Sequence, residues 1–181
     1  MVRKHGPWTI QDTTRKYCDS LIDVHQDQVL KPNGQPGTYA TVMMKPGVAV
    51  LPVDKDGVVY LTRQLRYAIA KESIEVVSGG VDENEPALEA AQREVREELG
   101  IEADEWLALG VVDVDTSLVR CPVRLFLAKR LTFTSPQQEG TETIETVKIP
   151  FDEAVQMVME SAITHGASCV LILKARNTVQ A

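Results

Sequence analysis

Three glutamates, Glu94, Glu97 and Glu98, stand three and four residues apart within AAQREVREELGIE, residues 90–102. On a helix, positions i, i+3 and i+4 share a flank, so three carboxylates crowd together there. Like charges at that spacing cost an isolated helix roughly 0.2–0.5 kcal/mol per pair. A surface helix tolerates that cost, but a helix facing a cleft would tolerate it only if something positive sits there. One candidate is a hard divalent cation, which takes carboxylate oxygens and completes its shell with water and substrate phosphate. The other is plain ion pairing, with Arg93 and Arg96 lacing a solvated helix face. The first arrangement would do phosphate chemistry: a cation polarises phosphorus and lowers the pKa of bound water, so that hydroxide forms near neutral pH.

The elements that must position these carboxylates can be read on either side. Helix signals start at Glu85-Pro86, with Pro86 suited to the first helical position. Leu88, Ala91, Val95 and Leu99 recur at three- and four-residue intervals and are expected to face the core. Gly100 sits where a helix end favours a left-handed residue. Before the helix, SIEVVSGG reads as one short strand ending in paired glycines. GVAVLPV, a DKDG turn and VVYLTRQ read as a hairpin.

Further out, SLIDVHQDQVL alternates like a half-buried strand, KPNGQPG is a strong turn and TYATVMM is the returning strand. Residues 1–45 are thus an N-terminal β segment, either a hairpin of the main domain or a small sheet that packs on another subunit. Residues 46–181 form the main domain. After the helix come the strands WLALGVVDVD and VRLFLAKRL, the polar loop TSPQQEGTETIE, the strand TVKIP and two closing helices. A helix set between groups of strands predicts an α+β or layered α/β/α fold around a mixed sheet, with a small antiparallel N-terminal sheet.

Bulk properties narrow the function. The 181 residues suit one domain with an appendage, and 44% hydrophobic content supports a sizeable core. A net charge of −7 argues against a nucleic-acid-binding surface. Cys18, Cys121 and Cys169 are scattered, as buried thiols in a reducing compartment would be. His5, His25 and His165 are equally dispersed and read as structural or surface residues. No stretch approaches the roughly 18 apolar residues a membrane span needs, and the basic N-terminus lacks the apolar run of a secretory signal. The protein is expected to be soluble and cytoplasmic.

The spacing itself is the sharpest signal: Gly79, five residues, Glu85, seven residues, then Arg93-Glu94-Val95-Arg96-Glu97-Glu98-Leu99-Gly100-Ile101. Seven fixed identities at typical usage of about one in fifteen give a chance match of about one in 10⁸ per starting position. This run matches the Nudix box at every specified position, and the chain resembles the Nudix hydrolases. That resemblance implies an α/β/α sandwich and hydrolysis of nucleoside diphosphates linked to another moiety, with Mg²⁺ or Mn²⁺ as cofactor. It implies Glu94 and Glu98 as main metal ligands, with Glu97 a third ligand or a base, and the carbonyl of Ser78 as an extra ligand. Glu85 would support the outer shell, Arg93 would hold a box glutamate in place, and Gly79 would let the loop curl against the helix.

The flanks look most like the ADP-ribose and nucleoside-diphosphate-sugar pyrophosphatases. VVYLTRQLRYAI resembles their strand ending in Arg-Gln-x-Arg-Tyr, IEVVSGGVDENE their lead into the box, and DQVLKPNGQPGTY their N-terminal segment. The implied partner is a nucleotide-sugar substrate, and the implied assembly is a homodimer with exchanged N-terminal sheets. A catalytic base is implied in the loop after the last long strand, at Glu142 or, second, Glu139. Arg66, with Arg63 behind it, is the candidate contact to the diphosphate or terminal sugar, since a guanidinium fork matches phosphate oxygens. Trp8 is either a nucleobase-stacking residue or a core or dimer contact. Thr116-Ser117-Leu118 stands where ADP-ribose-specific relatives carry a Ser-Pro-Gly-like stretch, which favours a broader sugar-nucleotide range. Triphosphate or dinucleoside polyphosphate hydrolysis, and a non-catalytic ADP-ribose-binding regulator, are the competing functions.

Overall fold

A computed structural model describes residues 2–138 and 143–179. In chain order the strands are β1 (Arg3–His5), β2 (Trp8–Cys18), β3 (Ile22–Leu30), β4 (Pro36–Met44), β5 (Gly47–Pro52) and β6 (Val58–Arg66). A 3₁₀ turn, Tyr67–Ile69, leads to β7 (Lys71–Glu75) and β8 (Val77–Gly80), then to helix α1 (Ala87–Leu99). β9 (Ile101–Asp113), β10 (Val119–Arg120), β11 (Pro122–Phe133) and β12 (Glu145–Pro150) precede α2 (Phe151–Met159) and α3 (Gly166–Val179).

The chain divides into two compact units. The first comprises Met1–Lys45 and Asp113–Cys121. Its sheet runs β1-β2-β3-β4-β10, with β10 parallel to β4 through Val119↔Val42 and Arg120↔Met43. β2 is a strand that the sequence pattern does not reveal. Most of it is exposed and Ile10 is its one buried position, so no period-two alternation marks it. Cys18 closes that strand and is exposed, contrary to the expectation of a buried thiol; Cys121 is buried and Cys169 half-buried.

The second unit comprises Pro46–Val112 and Pro122–Ala181. One sheet has the order β8-β5-β11-β9, and a second has the order β12-β6-β7. β5 and β11 pair in parallel, from Val123↔Gly47 to Ala128↔Pro52. Alternation along these strands assigns the layers. Val48, Val50, Phe126 and Ala128 join Ala91, Val95 and Leu99 of α1 in one core cluster. Ala49, Leu51, Leu125 and Leu127 point to the other face and are fully buried as well, on the side where α3 packs against β5 and β11. A sheet covered by helices on both faces is the layered α/β architecture that the element order predicts.

Three local expectations need correction. GVAVLPV and VVYLTRQ do not form a paired hairpin: they share a single bridge, Val53↔Val59, and then diverge into different sheets. SIEVVSGG likewise breaks at Val76, because its two halves pair with β6 and β5 respectively. The α-helix begins one residue later than predicted, so Pro86 is its N-cap (φ −63°, ψ 136°) and accepts the Ala90 N–H at 3.0 Å. Leu88 is exposed rather than inward, since the core cluster takes up Ala90, Ala91, Val95 and Leu99, and in the first turn it is Ala87 that packs against it.

Candidate active site

The carboxylates of α1 divide according to helical geometry. Glu98 follows Ala91 by seven residues and Val95 by three, so it lies on the inward stripe and is only 7% exposed. Glu94 and Glu97 lie on the flank, half-buried. Burying a residue such as Val95 or Leu99 contributes about 1.5–3 kcal/mol. That outweighs the repulsion among the glutamates, roughly 0.2–0.5 kcal/mol per pair. The apolar stripe therefore fixes the helix and carries the carboxylates into place.

Arg93 gathers the flank. Its Nε donates to Glu85 Oε1 at 2.9 Å and its Nη2 to Glu85 Oε2 at 3.1 Å. Nη1 reaches Glu94 Oε1 at 2.8 Å and Glu97 Oε2 at 3.2 Å. Nη2 also bonds the Gly80 carbonyl at 2.9 Å, which ties the helix to the end of β8. These partners, Glu85 foremost, push the guanidinium pKa well above its usual value, so Arg93 is a permanent cation. Glu85 is held from its other side by the Asp82 N–H at 2.9 Å. Arg93 thus supplies the ion pairing that the sequence offers as one answer to the clustered charge.

Two glycines shape the turn around this helix, for different reasons. Gly79 lies directly beside the Glu94 carboxylate, and a Cβ there would overlap it. Gly100 adopts φ +61° as the C-cap, and a Cβ there would collide with the backbone at Thr134, Ser135 and Pro136. The carbonyls at the end of α1 are taken by that segment: Thr134 N bonds Gly100 O at 2.6 Å and Gln137 N bonds Glu97 O at 2.9 Å. Gln138 Nε2 reaches Glu98 O at 3.1 Å and Ile144 O at 3.0 Å. Glu139 and Glu142, the expected bases, lie outside the described residues.

Ser78 sits in β8 opposite Ala49, with its hydroxyl turned back to Val76 O at 3.1 Å. Arg63 stands opposite Glu145 across β6 and β12 and pairs with it at 3.2 Å. Arg66 faces the other side of β6, the side shared with Ser73 and Glu75 of β7. It grips Glu75 with two bonds, Nε to Oε1 at 3.1 Å and Nη2 to Oε2 at 2.6 Å. Glu75 is almost fully buried. Burial pushes its carboxyl pKa up, but Arg66, His165 and Ser73 together pull it below the usual value. The sequence reading missed this glutamate, although an acid inside the apolar run SIEVV signals a buried, paired charge.

Trp8 belongs to the N-terminal unit. It packs edge-on against Tyr39, with ring centroids 5.7 Å apart, and lines a cavity of about 450 Å³ with Thr13, His25, Asp27 and Arg120. A second concavity, in the other unit, is lined by Asp54, Glu105, Lys129 and Arg130 and holds none of the residues predicted from sequence.

An oxygen-only donor set from Glu94, Glu97 and Glu98 suits a hard cation. Among the described residues no three acidic, imidazole or thiol side chains already converge on one point. The set fits by its chemistry, with Glu94 and Glu97 collected on the Arg93 guanidinium.

The NUDIX domain family model matches residues 43–166, more than half of the chain. The chain is similar to the ADP-ribose pyrophosphatase of Bacillus subtilis, 23% identical, with 91% of each chain covered. It is 27% identical to the ADP-ribose pyrophosphatase of Mycobacterium tuberculosis, over 94% of this chain and 83% of that one. A methanol dehydrogenase activator of Bacillus methanolicus is 22% identical over 88% of each. A solved structure described as an ADP compounds hydrolase superposes with a TM-score of 0.83 at 20% identity, covering 98% of this chain and 97% of that one.

Proposed function

The chain belongs to the Nudix family of hydrolases, and from that premise we propose that it hydrolyses the diphosphate bond of nucleoside diphosphate sugars, ADP-ribose among them. The products are a nucleoside monophosphate and a sugar phosphate. The observation that carries this reading is the complete box, from the end of β8 through α1, with Glu85, Glu94 and Glu97 collected by one arginine. The substrate class is supported by two relatives named ADP-ribose pyrophosphatase at low identity.

Nudix hydrolases generally use divalent metal cations. Glu94, Glu97 and Glu98 would hold Mg²⁺ or Mn²⁺ here, with the Ser78 carbonyl as a further oxygen; the cation supplies charge neutralisation of the diphosphate and an acidified water. Arg93 keeps Glu85 and Glu94 in a fixed orientation. Arg66 binds a phosphate or the terminal sugar, and Glu142 or Glu139 accepts the proton of the attacking water. Trp8 and the N-terminal unit contribute to the substrate pocket across a homodimer. The three free cysteines support a reducing, cytoplasmic setting. No helix among the described residues is long and apolar enough to cross a membrane.

Product analysis tests this. Purified protein with Mg²⁺ should release AMP from ADP-ribose and ADP-glucose, and GMP from GDP-mannose, faster than it cleaves ATP. Preference for ATP would move the enzyme to the triphosphate class, and tight ADP-ribose binding without turnover would make it a regulator. Light scattering on the same sample should give twice the 20.0 kDa chain mass; a monomer would remove the exchanged-sheet part of the proposal.

A further inference from the structure

The second unit holds a charged cluster that the box chemistry does not use. Glu75 of β7 receives the Arg66 fork from one side, and His165, just before α3, approaches from another, with Nδ1 3.3 Å from Glu75 Oε2. The same Nδ1 is 2.8 Å from Ser168 Oγ, and that hydroxyl accepts the Val76 N–H at 3.0 Å. Ser168 is fully buried and Ser73 is buried. The charged groups facing His165 are therefore Glu75 from β7 and Arg66 from β6, with the Ser73 and Ser168 hydroxyls around them.

We propose that His165 is a positioning residue for Arg66: anchored to Ser168 through Nδ1 and packed 3.3 Å from Glu75 Oε2, it fixes the carboxylate that holds the substrate arginine's guanidinium. This rests on the reading of Arg66 as the arginine that contacts substrate. A carboxylate held by a two-bond arginine fork still has room to rotate about its own stem. A third partner from a separate element removes that freedom, as supporting hydrogen bonds orient metal-binding side chains. The neighbouring carboxylate favours the tautomer with the proton on Nδ1, leaving Nε2 to take a second proton. Burial is the main influence on the ring and keeps its pKa below the usual value; Arg66 acts in the same direction and Glu75 opposes them. His165 is thus neutral at pH 7. Burial places the titration on the acid side of the ordinary histidine value; there the imidazolium competes with Arg66 for Glu75, and substrate binding weakens.

The experiment compares wild type, His165→Ala and His165→Asn in the full chain, since an asparagine amide places an N–H near the position of Nδ1 without titrating. His165→Ala should raise KM for ADP-ribose by about three- to tenfold, the scale of one hydrogen bond, with kcat changed less than twofold. His165→Asn should restore KM at pH 7.5 and lack the acid-side rise in KM that wild type shows. In an Arg66→Ala background, His165→Ala should add nothing further. Changes in melting temperature alone, with KM and its pH profile unmoved, would overturn the proposal and leave the hydrolase reading intact. If wild type cleaves no sugar nucleotide, that reading fails, and the Arg66 Nε–H resonance decides the coupling separately. Its shift should follow a histidine titration in wild type and stay flat in His165→Asn; a flat wild-type signal sinks the inference.

Discussion

Glu98→Gln should lower kcat for ADP-ribose by about 10³-fold while the melting temperature holds or rises. The two halves of that expectation come from one location. Glu98 lies on the inward stripe of α1, among Ala91, Val95 and Leu99, and is 7% exposed. A charge buried there opposes folding, and an isosteric neutral amide relieves that cost. Catalysis runs the other way. A carboxylate that holds a divalent cation supports several kcal/mol of charge stabilisation in the transition state, and each 1.36 kcal/mol is a factor of ten in rate. A structural carboxylate would show the reverse pattern, a fall in stability and little change in rate. Initial-rate kinetics paired with thermal melts separate the two, and activity within tenfold of wild type would take Glu98 out of the metal site.

The contrast between Glu98 and Glu75 shows what a sequence makes legible. Glu98 belongs to a local pattern: seven box identities, an apolar stripe of helical period and a terminal glycine all fall within 22 residues, 79–100. Local geometry dictates their relation, so spacing alone places them. Glu75 and His165 lie ninety residues apart, and their meeting depends on how α3, packed against β5 and β11, brings its first turn to the end of β7. Strand register and layer order are set by the whole core, which no short window contains. The same limit explains the apparent hairpin of β5 and β6. Both strands and the turn between them read correctly, yet they pair with other strands, β5 with β8 and β11 and β6 with β7 and β12. Leu88 shows a third limit: helical period gives direction, but only the packed layer decides which residue of the first turn is covered. The box helix is thus a local object, whereas the cluster of Arg66, Glu75 and His165 is a tertiary one.

Gly79→Ala should cut kcat about 10²-fold with stability changed by less than about 1 kcal/mol. The added carbon lands on the Glu94 carboxylate. That group is the far end of a flexible side chain, so it can swing aside without disturbing backbone. Gly79 lies in β8 opposite Val48, a conformation alanine adopts, and removing a glycine also lowers the entropy of the unfolded chain. The fold therefore tolerates the methyl group. The site does not: Glu94 leaves its bond to Arg93 Nη1, 2.8 Å long, and with it the position from which it would bind a cation. A displacement of about 1 Å in a catalytic group costs on the order of 10²-fold. Gly100 marks the contrast, because a methyl group there meets backbone and must adopt φ +61°, so the penalty falls on folding. The reading is tested by titrating Mg²⁺ against activity in Gly79→Ala. Half-saturation should move to higher Mg²⁺ while the melting curve stays close to wild type. An unchanged Mg²⁺ requirement would mean that Glu94 is not a cation ligand and that Gly79 serves only to let β8 run past the helix.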